Sequence, residues 1–273
     1  MKDNMKLLCL TAHPDDESLG CGGTLARCHD EGIETYVVCA TRGEKGRFGD
    51  AEIKPPPHTV GQTREQELRA AAGVLGVREV SLLDYIDGEL DGVDPVEATA
   101  KIAGHIRRIK PHVILTFAPD GAYGHPDHIA ISQLAASGIV SAADHTYRGA
   151  PEVPVNGPPH RVSKFYYMAW TERQWAAYQA AFKDLKSTVD GVERRATPWP
   201  EWAVTTSIDT RAYWETVWRA VQCHKTQVTI FRKLANLPAE HHEAIWGTQT
   251  YYRVFSTVNG GRQRETDLFE GLR

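Results

Sequence analysis

Apolar and polar positions along the chain form short runs of two kinds, and the two kinds alternate. Continuous apolar runs, rich in β-branched and aromatic residues, predict buried strands at 6–10, 35–40, 80–83, 113–117, 164–169, 203–208 and 251–255. Apolar residues three or four apart predict helices at 19–30, 63–75, 95–109, 126–135, 173–185, 211–223 and 241–245. This alternation indicates an α/β protein with a mostly parallel sheet, because right-handed crossovers join such strands.

Several of the predicted helices carry informative residues near their ends. Asp94 and Pro95 suit the N-cap and first position of the third helix, and Gly76 follows the second helix as a stop. Gly20-Cys21-Gly22-Gly23 lacks the GxGxxG spacing of a dinucleotide site and has acidic neighbours. We therefore expect these glycines to allow close packing of helix on sheet rather than to cradle a phosphate.

Two long stretches show no apolar period. Residues 41–62 follow the second predicted strand, and this loop either covers a substrate or is a mobile connection. Residues 144–161 hold four prolines and two glycines, which is typical of a surface connection. A chain of 273 residues is within the size of one hydrophobic core, so we expect a single α/β domain over 1–273 with a variable surface insertion at about 144–161.

Composition and charge argue against two classes of partner. A net charge of −4 does not suit general nucleic-acid binding, because phosphate backbones are bound by concentrated Lys and Arg. No apolar run approaches the roughly 20 residues of a membrane-spanning helix, and no long apolar segment follows Lys2. We therefore expect a cytoplasmic protein with no integral membrane segment. How many chains assemble stays open, with a homo-oligomer as one alternative.

Two polar clusters follow two of the predicted strands. Ala12-His13-Pro14-Asp15-Asp16-Glu17 comes directly after the first strand, and His125-Pro126-Asp127-His128 comes shortly after the strand at 113–117. Ligands of an open α/β sheet gather outside the carboxyl ends of its strands, so both clusters can meet in one crevice. Either cluster alone is equally well explained by surface histidines or by acidic residues at a helix N-terminus. The presence of both clusters, each after a predicted strand of the same sheet, favours a functional site.

Histidine and carboxylate side chains at these spacings predict a divalent metal site. His13 and Asp16 are three residues apart, and His125, His128 or both can complete the ligand set. One such set is His13, Asp16 and His128, which leaves a position open for water, as in catalytic zinc sites. Two histidines and one carboxylate also hold non-haem iron, so the ligands alone leave zinc and iron open.

The remaining polar groups of the two clusters predict a hydrolytic centre. Asp15 adjoins a ligand and is the expected general base for a water that attacks a carbonyl. A protonated His125 would stabilise a developing oxyanion or protonate a departing amine, with Asp127 orienting its ring. The hydroxyl of Tyr123 would donate to the same oxyanion.

Both clusters resemble the motifs of the PIG-L/LmbE-like zinc-dependent N-deacetylases. The similarity rests on residues 12–17 followed by Leu19-Gly20-Cys21-Gly22-Gly23-Thr24, and on Tyr123-Gly124-His125-Pro126-Asp127-His128. Weaker matches to the family pattern are Thr41-Arg42-Gly43-Glu44, Arg64, Glu67-Leu68, Leu75-Gly76-Val77 and His224-Lys225-Thr226-Gln227, with Thr226 in place of the usual Ser. The resemblance covers most of residues 5–140 and is weak from 144 to 200.

The resemblance implies a Rossmann-like three-layer fold with C-terminal elaborations, and a zinc ion held by His13, Asp16 and His128. It implies that Asp15 is the general base and that His125 and Tyr123 stabilise the oxyanion. The implied enzyme is a metal-dependent amide hydrolase that removes an N-acetyl group from an N-acetylglucosamine-containing conjugate and releases acetate. Its substrate would be a small-molecule amino sugar.

Three arginines are the expected substrate-binding residues. Arg42 and Arg47 lie in the 41–62 loop, where they can meet anionic groups, and Arg64 belongs to the helix that follows. The alternative for these side chains is solvated surface charge. Two other functions also stay open: an amidase that acts on a related sugar-thiol conjugate, and a metal-bearing binding protein without turnover.

Overall fold

A seven-stranded sheet forms the centre of the protein in the computed structural model, which describes residues 4–182, 186–189, 191–261 and 263–273. The strands in chain order are β1 (Lys6–Thr11), β2 (Glu34–Thr41), β3 (Glu79–Tyr85), β4 (Val113–Thr116), β5 (Gly149–Ala150), β6 (Val153–Pro154), β7 (Lys164–Met168), β8 (Lys186–Val189), β9 (Val192–Arg195), β10 (Thr206–Asp209) and β11 (Thr248–Ser256). The order across the sheet is β10-β11-β7-β4-β1-β2-β3, while β5–β6 and β8–β9 form separate antiparallel pairs.

Helices cover both faces of this sheet. They are α1 (Asp16–Asp30), α2 (Pro57–Val74), α3 (Pro95–Ile109), a distorted single turn α4 (Gly121–Gly124), α5 (Pro126–Ala143), α6 (Glu172–Phe182), α7 (Trp214–Cys223), α8 (Val228–Ala235) and α9 (Ala239–Trp246). Single 3₁₀ turns lie at Leu90–Gly92, Glu201–Ala203 and Arg211–Tyr213. Helices α1, α2 and α7 pack together on one face, and α3 and α5 pack together on the other. Among the described helices, none combines the length and the apolar character that crossing a bilayer requires.

The strands from β7 to β3 are parallel, and the antiparallel strand β11 joins their edge. Parallel strands covered on both faces are apolar without alternation, which explains why Leu7, Leu8, Cys9 and Leu10 are all fully buried. From β1 the chain proceeds to β2 and β3 on one side, then crosses to β4 and β7 on the other. The crevice between the carboxyl ends of β1 and β4 is therefore the topological switch point of the sheet. The predicted α/β fold with a mostly parallel sheet is confirmed.

The local signals at the helix ends and the glycines act as expected. The Asp94 carboxylate accepts a hydrogen bond from the Val96 amide at 2.9 Å and caps α3. A β-carbon on Gly23 would lie 2.7 Å from the side chain of Thr210, and one on Gly20 would lie 2.7 Å from the sulfur of a β7 methionine. Close packing explains both glycines: Gly20 packs against the sheet, as predicted, whereas Gly23 packs against the residue that follows β10.

A buried ion cluster attaches the C-terminal segment to the sheet. The carboxylate of Glu265 lies 2.8 Å from Lys164 Nζ on β7 and 2.9 Å from the guanidinium of Arg253 on β11. It also accepts a hydrogen bond from the Tyr166 hydroxyl at 2.8 Å. Burial alone would raise the pKa of Glu265, but the hydrogen bonds from Lys164 and its neighbours lower that pKa to about 2.

The structure differs from the predicted elements in several places. Helix α2 begins at Pro57, so the irregular loop is shorter than 41–62. The strand predicted at 203–208 begins at Thr206, because residues 201–203 form a 3₁₀ turn. The helix predicted at 173–185 is described to Phe182, and 183–185 lie outside the described residues. Helix α8 and both small hairpins were missed.

Candidate functional site

The two polar clusters meet at the switch point of the sheet. His13 lies in the turn between β1 and α1, and His125 and His128 lie at the start of α5, which follows β4. The ring centroid of His13 lies 4.8 Å from that of His125 and 5.2 Å from that of His128. Phe117, just after β4, stacks on His128 at 3.8 Å and fixes the plane of that ring. The predicted convergence of the two clusters is therefore observed.

Three side chains converge on one point at this crevice. His13 Nδ1 lies 3.2 Å from His128 Nε2, and the Asp16 carboxylate lies 3.8 Å from the first nitrogen and 3.5 Å from the second. Two ligands of one tetrahedral zinc ion are roughly 3.3 Å apart, because Zn–N and Zn–O bonds are close to 2 Å. One Asp16 oxygen accepts the amide hydrogens of Ala12 and His13 at 3.1 and 2.8 Å, which fixes the carboxylate.

Two buried carboxylates orient the His13 ring from its far side. His13 Nε2 lies 2.9 Å from Asp127 and 3.1 Å from Asp87. Asp127 also accepts the amide hydrogens of Gly88 and Leu90 at 2.7 and 3.1 Å. Carboxylates only accept, so the His13 proton lies on Nε2 and the Nδ1 lone pair points to the centre. We expected Asp127 to orient His125; the structure instead places its carboxylate against His13.

The donors at this centre fit a bound cation. His128 Nδ1 faces the Gly121 carbonyl oxygen at 3.3 Å, which leaves the lone pair of His128 Nε2 facing the lone pair of His13 Nδ1. A proton or a metal ion between them relieves this repulsion. Burial lowers the pKa of His13, but Asp127, Asp87 and Asp16 together raise it to about 10. The same negative field favours a divalent metal, whose binding releases that proton.

Asp15 has an unusual backbone and a buried environment. Its φ is 106°, in the left-handed region that a residue with a β-carbon rarely adopts, and its side chain makes no cap to α1. Burial raises the pKa of its carboxyl, whereas Arg64 and His224 oppose the rise. The Arg64 guanidinium lies 3.2 Å from Asp15 and also donates to the carbonyl oxygen of Gly43. Helix capping therefore does not explain the carboxylate of Asp15.

A buried pair beneath the turn supports Asp15. The Glu17 carboxylate accepts the Asp15 amide hydrogen at 3.0 Å and lies 2.8 Å from His224 Nε2, and both side chains are fully buried. Nearby, both oxygens of Glu67 on α2 accept from Thr226, one from its amide and one from its hydroxyl. Thr226, in place of the usual Ser, thus provides the hydroxyl that this contact needs.

Tyr123 and His125 stand on the other side of the centre, in the loop between β4 and α5. The Tyr123 ring meets the His125 ring edge to face at 5.9 Å and the His128 ring at 5.3 Å. Burial and the surrounding carboxylates raise the pKa of Tyr123, so its hydroxyl stays protonated and can donate. His125 Nδ1 accepts the amide hydrogen of Asp127 at 3.2 Å, which fixes the ring at the N-cap of α5.

Residues 8–139 match the PIG-L family, described as GlcNAc-PI de-N-acetylase. A deacetylase of 1D-myo-inositol 2-acetamido-2-deoxy-α-D-glucopyranoside from Kineococcus radiotolerans is 31% identical, and the alignment covers 98% of this chain and 83% of that protein. The chain belongs to the PIG-L family. Members at this level of similarity are deacetylases, and the protein is therefore an enzyme, a de-N-acetylase.

Solved structures show the PIG-L fold carrying different chemistries. The N,N'-diacetylchitobiose deacetylase from Pyrococcus horikoshii superposes with a TM-score of 0.67 at 19% identity, over 93% of this chain and 85% of that one. GalB, the 4-carboxy-2-hydroxymuconate hydratase from Pseudomonas putida KT2440, superposes with a TM-score of 0.65 at 20% identity, over 94% and 99%. The fold alone therefore does not decide the reaction.

The three arginines expected to bind substrate have different environments in this PIG-L enzyme. Arg42 pairs with Glu65 at 2.8 Å and with Asp84 at 2.6 Å. Arg64 is buried and faces the turn that holds Asp15, so its guanidinium supports that turn rather than projecting into solvent. The side chain of Arg47 is exposed and has no ion pair among the described residues. Among the described ion pairs, Arg42 and Arg64 thus have carboxylate partners and Arg47 has none, and contact of the three arginines with substrate stays a prediction.

The sequence analysis missed one residue of the site, Asp87, and the role of another, His224. Asp87 follows β3 and reaches the His13 ring; its position after a third parallel strand is the same signal that identified the other clusters. Its pKa is lowered, because hydrogen bonding to His13 outweighs burial. His224 matched the family pattern without a role, and its pairing with Glu17 shows why this position is a histidine.

Proposed function

We propose that this PIG-L enzyme hydrolyses the acetamide of an N-acetylglucosamine conjugate with the help of Zn²⁺, releasing acetate and a free amine. The proposed substrate is 1D-myo-inositol 2-acetamido-2-deoxy-α-D-glucopyranoside, the compound in the name of the Kineococcus relative. The observation that carries the proposal is the pair of ring nitrogens of His13 and His128, 3.2 Å apart beside Asp16.

His13, Asp16 and His128 are the proposed zinc ligands. Two imidazole nitrogens and one carboxylate are the ligands of many catalytic zinc sites, and they leave a coordination position open. Two other groups each have ligand atoms within 4.8 Å of one another: His13 with His125 and His128, and His13 with Asp87 and Asp127. We favour the set with Asp16, because Asp127 already accepts three hydrogens as the support of His13, and because we assign His125 to proton transfer. A bound zinc ion supplies Lewis acidity that polarises the amide carbonyl and acidifies water.

The protein side chains divide the proton transfers among them. Asp15 takes the proton of the attacking water, a role that suits a carboxylate whose pKa is raised by burial. Tyr123 donates a hydrogen bond to the carbonyl oxygen as it becomes negative. His125 gives a proton to the sugar nitrogen as the C–N bond breaks. The support of His13 by Asp127 keeps the metal-facing nitrogen free.

Arg47 is the proposed contact for polar or anionic groups of the substrate beyond the acetamide. Its loop is fixed on the segment that follows α7: the Gln227 side chain donates to the Arg47 carbonyl oxygen at 2.8 Å, and the Gly49 amide donates to the Thr226 carbonyl oxygen at 2.7 Å. These contacts favour the interpretation of this loop as a substrate cover. Arg42 and Arg64 are paired with carboxylates, and we assign both to the support of this loop and of the Asp15 turn.

A substrate panel tests the proposal. Released amine is measured with Zn²⁺ for the inositol conjugate, for N-acetylglucosamine and for N,N'-diacetylchitobiose, and amide cleavage is measured for an N-acylated glucosaminyl thiol conjugate. We expect the inositol conjugate to have the highest kcat/KM. Fastest cleavage of the thiol conjugate would favour the amidase alternative. Binding of zinc without turnover of any compound would favour the non-catalytic alternative, and reactivation by Fe²⁺ but not Zn²⁺ would contradict the assigned metal.

A further inference from the structure

The loop that carries Tyr123 and His125 has a strained backbone. We call residues 120–125 the β4–α5 loop. Within it, Gly121, Ala122 and Gly124 have φ values of 63°, 65° and 77°. Glycine adopts this region readily, but alanine does not, and the ψ of Ala122 is −62°. Such a conformation persists only where surrounding contacts hold it.

Two side chains from a distant segment supply contacts of this kind. Trp199 Nε1 donates to one Asp120 oxygen at 2.8 Å, and the other Asp120 oxygen accepts the Ala122 amide hydrogen at 3.0 Å. At the other end of the loop, the Arg194 guanidinium donates to the carbonyl oxygen of Gly124. Asp120 thus links the indole of Trp199 to the strained residue, and Arg194 holds the peptide that precedes His125.

Both of these side chains are anchored outside the loop. The Trp199 amide donates to the Trp170 carbonyl oxygen at 2.8 Å, and its ring lies 5.4 Å from that of Tyr252 on β11. Arg194 belongs to the β8–β9 hairpin, and its Cδ would lie 3.1 Å from a β-carbon on Gly124. Gly124 therefore lets the arginine side chain approach the loop backbone.

We infer that Arg194 and Trp199 are positioning residues for the deacetylation: they fix the β4–α5 loop so that Tyr123 and His125 face the substrate amide. The inference rests on the proposed function, because it assigns Tyr123 and His125 to the transition state. Neither positioning residue lies within residues 8–139, the part that matches the family. The segment at 194–199 thus contributes to catalysis although it lies outside that match.

Two substitutions remove the contacts, and each has a matched control nearby. Trp199→Phe keeps an aromatic ring against Tyr252 and removes the indole N–H; Trp202→Phe is its control, at a tryptophan that is 87% exposed. Arg194→Ala removes the guanidinium; Arg195→Ala is its control on the same strand, where the side chain is 66% exposed. Both contacts involve a charged partner, so we expect kcat to fall about tenfold in each test variant.

The division between kcat and KM separates positioning from a general structural effect. KM, zinc affinity and Tm should stay close to wild type in the test variants, because the loop acts on the transition state. Arg194→Lys should recover part of the lost kcat. In a Tyr123→Phe background, each test substitution should lower kcat by a smaller factor than in the wild type, because one of the two groups through which it acts is gone.

The opposite results would overturn the inference. They are an unchanged kcat in both test variants, an equal fall in kcat in the control variants, or an equal fall in kcat with and without Tyr123. If the wild type turns over none of the conjugates, the proposed function fails. Amide hydrogen exchange then tests separately whether Trp199 anchors the β4–α5 loop. The Ala122 amide should then exchange about tenfold faster in Trp199→Phe than in the Trp202→Phe control. Unchanged exchange would contradict the anchoring role of Trp199.

Discussion

Replacing Asp127 with asparagine should weaken zinc binding while leaving all three proposed ligands in place. The buried Asp127 carboxylate accepts from His13 Nε2 at 2.9 Å and from the Gly88 and Leu90 amides at 2.7 and 3.1 Å. Asparagine has only one acceptor oxygen, so its NH₂ group must face at least one of these donors. When the NH₂ group faces His13, the ring proton moves to Nδ1, the nitrogen that should bind the metal.

The magnitude follows from the loss of one charge-assisted hydrogen bond. Such a bond contributes about 1.5–3 kcal/mol, which corresponds to a change in zinc Kd of about 10- to 100-fold. If the asparagine oxygen faces His13 instead, its NH₂ group meets a backbone N–H, and the free energy of unfolding should fall by about 1–3 kcal/mol. In either orientation, Asp127→Asn weakens zinc binding or lowers the free energy of unfolding by a measurable amount.

Competition with a chromophoric chelator measures the zinc Kd of Asp127→Asn, and urea titration measures the stability of its metal-free form. Asp91→Asn is the matched control, because Asp91 lies in the exposed part of the same 3₁₀ turn as Leu90. Asp91→Asn should match the wild type in both measurements. A zinc Kd within twofold of wild type for Asp127→Asn, together with unchanged stability, would refute the assigned support of His13.

Three further predictions concern the packing, the pH dependence and the oxyanion. Gly23→Ala should lower the free energy of unfolding by about 1–3 kcal/mol, because the new methyl group meets Thr210. Gly73→Ala, whose methyl group enters open space on α2, should raise it by up to about 1 kcal/mol. Equal effects of the two substitutions in urea titrations would contradict this. The folded-state pKa of Glu265 is about 2, below its unfolded value, so its contribution of about 3 kcal/mol to stability is present above pH 4.5 and is lost as the pH falls toward 2. The free energy of unfolding of Glu265→Gln should therefore fall less steeply with acid than that of the wild type. Parallel stability curves for the two proteins would contradict the account. Tyr123→Phe should lower kcat by about 100-fold with little change in KM, and a larger effect on KM would assign the hydroxyl to substrate binding.

The sheet and the meeting of the two clusters were predictable because they depend on short-range patterns. Strands buried on both faces are continuous apolar runs, and the carboxyl ends of parallel strands share one edge. His13 and His128 could therefore be placed together although they are 115 residues apart. The cap at Asp94 and the glycines of α1 were predictable for the same reason, because their requirements are local.

The partners of individual charged groups were not predictable from such patterns. Asp127 lies close to two histidines in sequence, yet its carboxylate contacts the more distant His13, because the turn after β3 brings two amides to its oxygens. Arg64 lies on a helix that has exposed charges elsewhere, and only the packing of α2 on the β1 turn shows that it is buried. Helix α8 was missed because its Val-Thr-Ile-Phe start is typical of strands.

Metal reconstitution with and without Asp15 tests the central claim most directly. The enzyme is stripped with a chelator and titrated with Zn²⁺, and amine release from the inositol conjugate is measured in the wild type and in Asp15→Ala. We predict that the wild type regains full activity with one equivalent of zinc, and that Asp15→Ala binds one equivalent but stays inactive. Full activity of the stripped enzyme, or near-wild-type turnover by Asp15→Ala, would contradict the account.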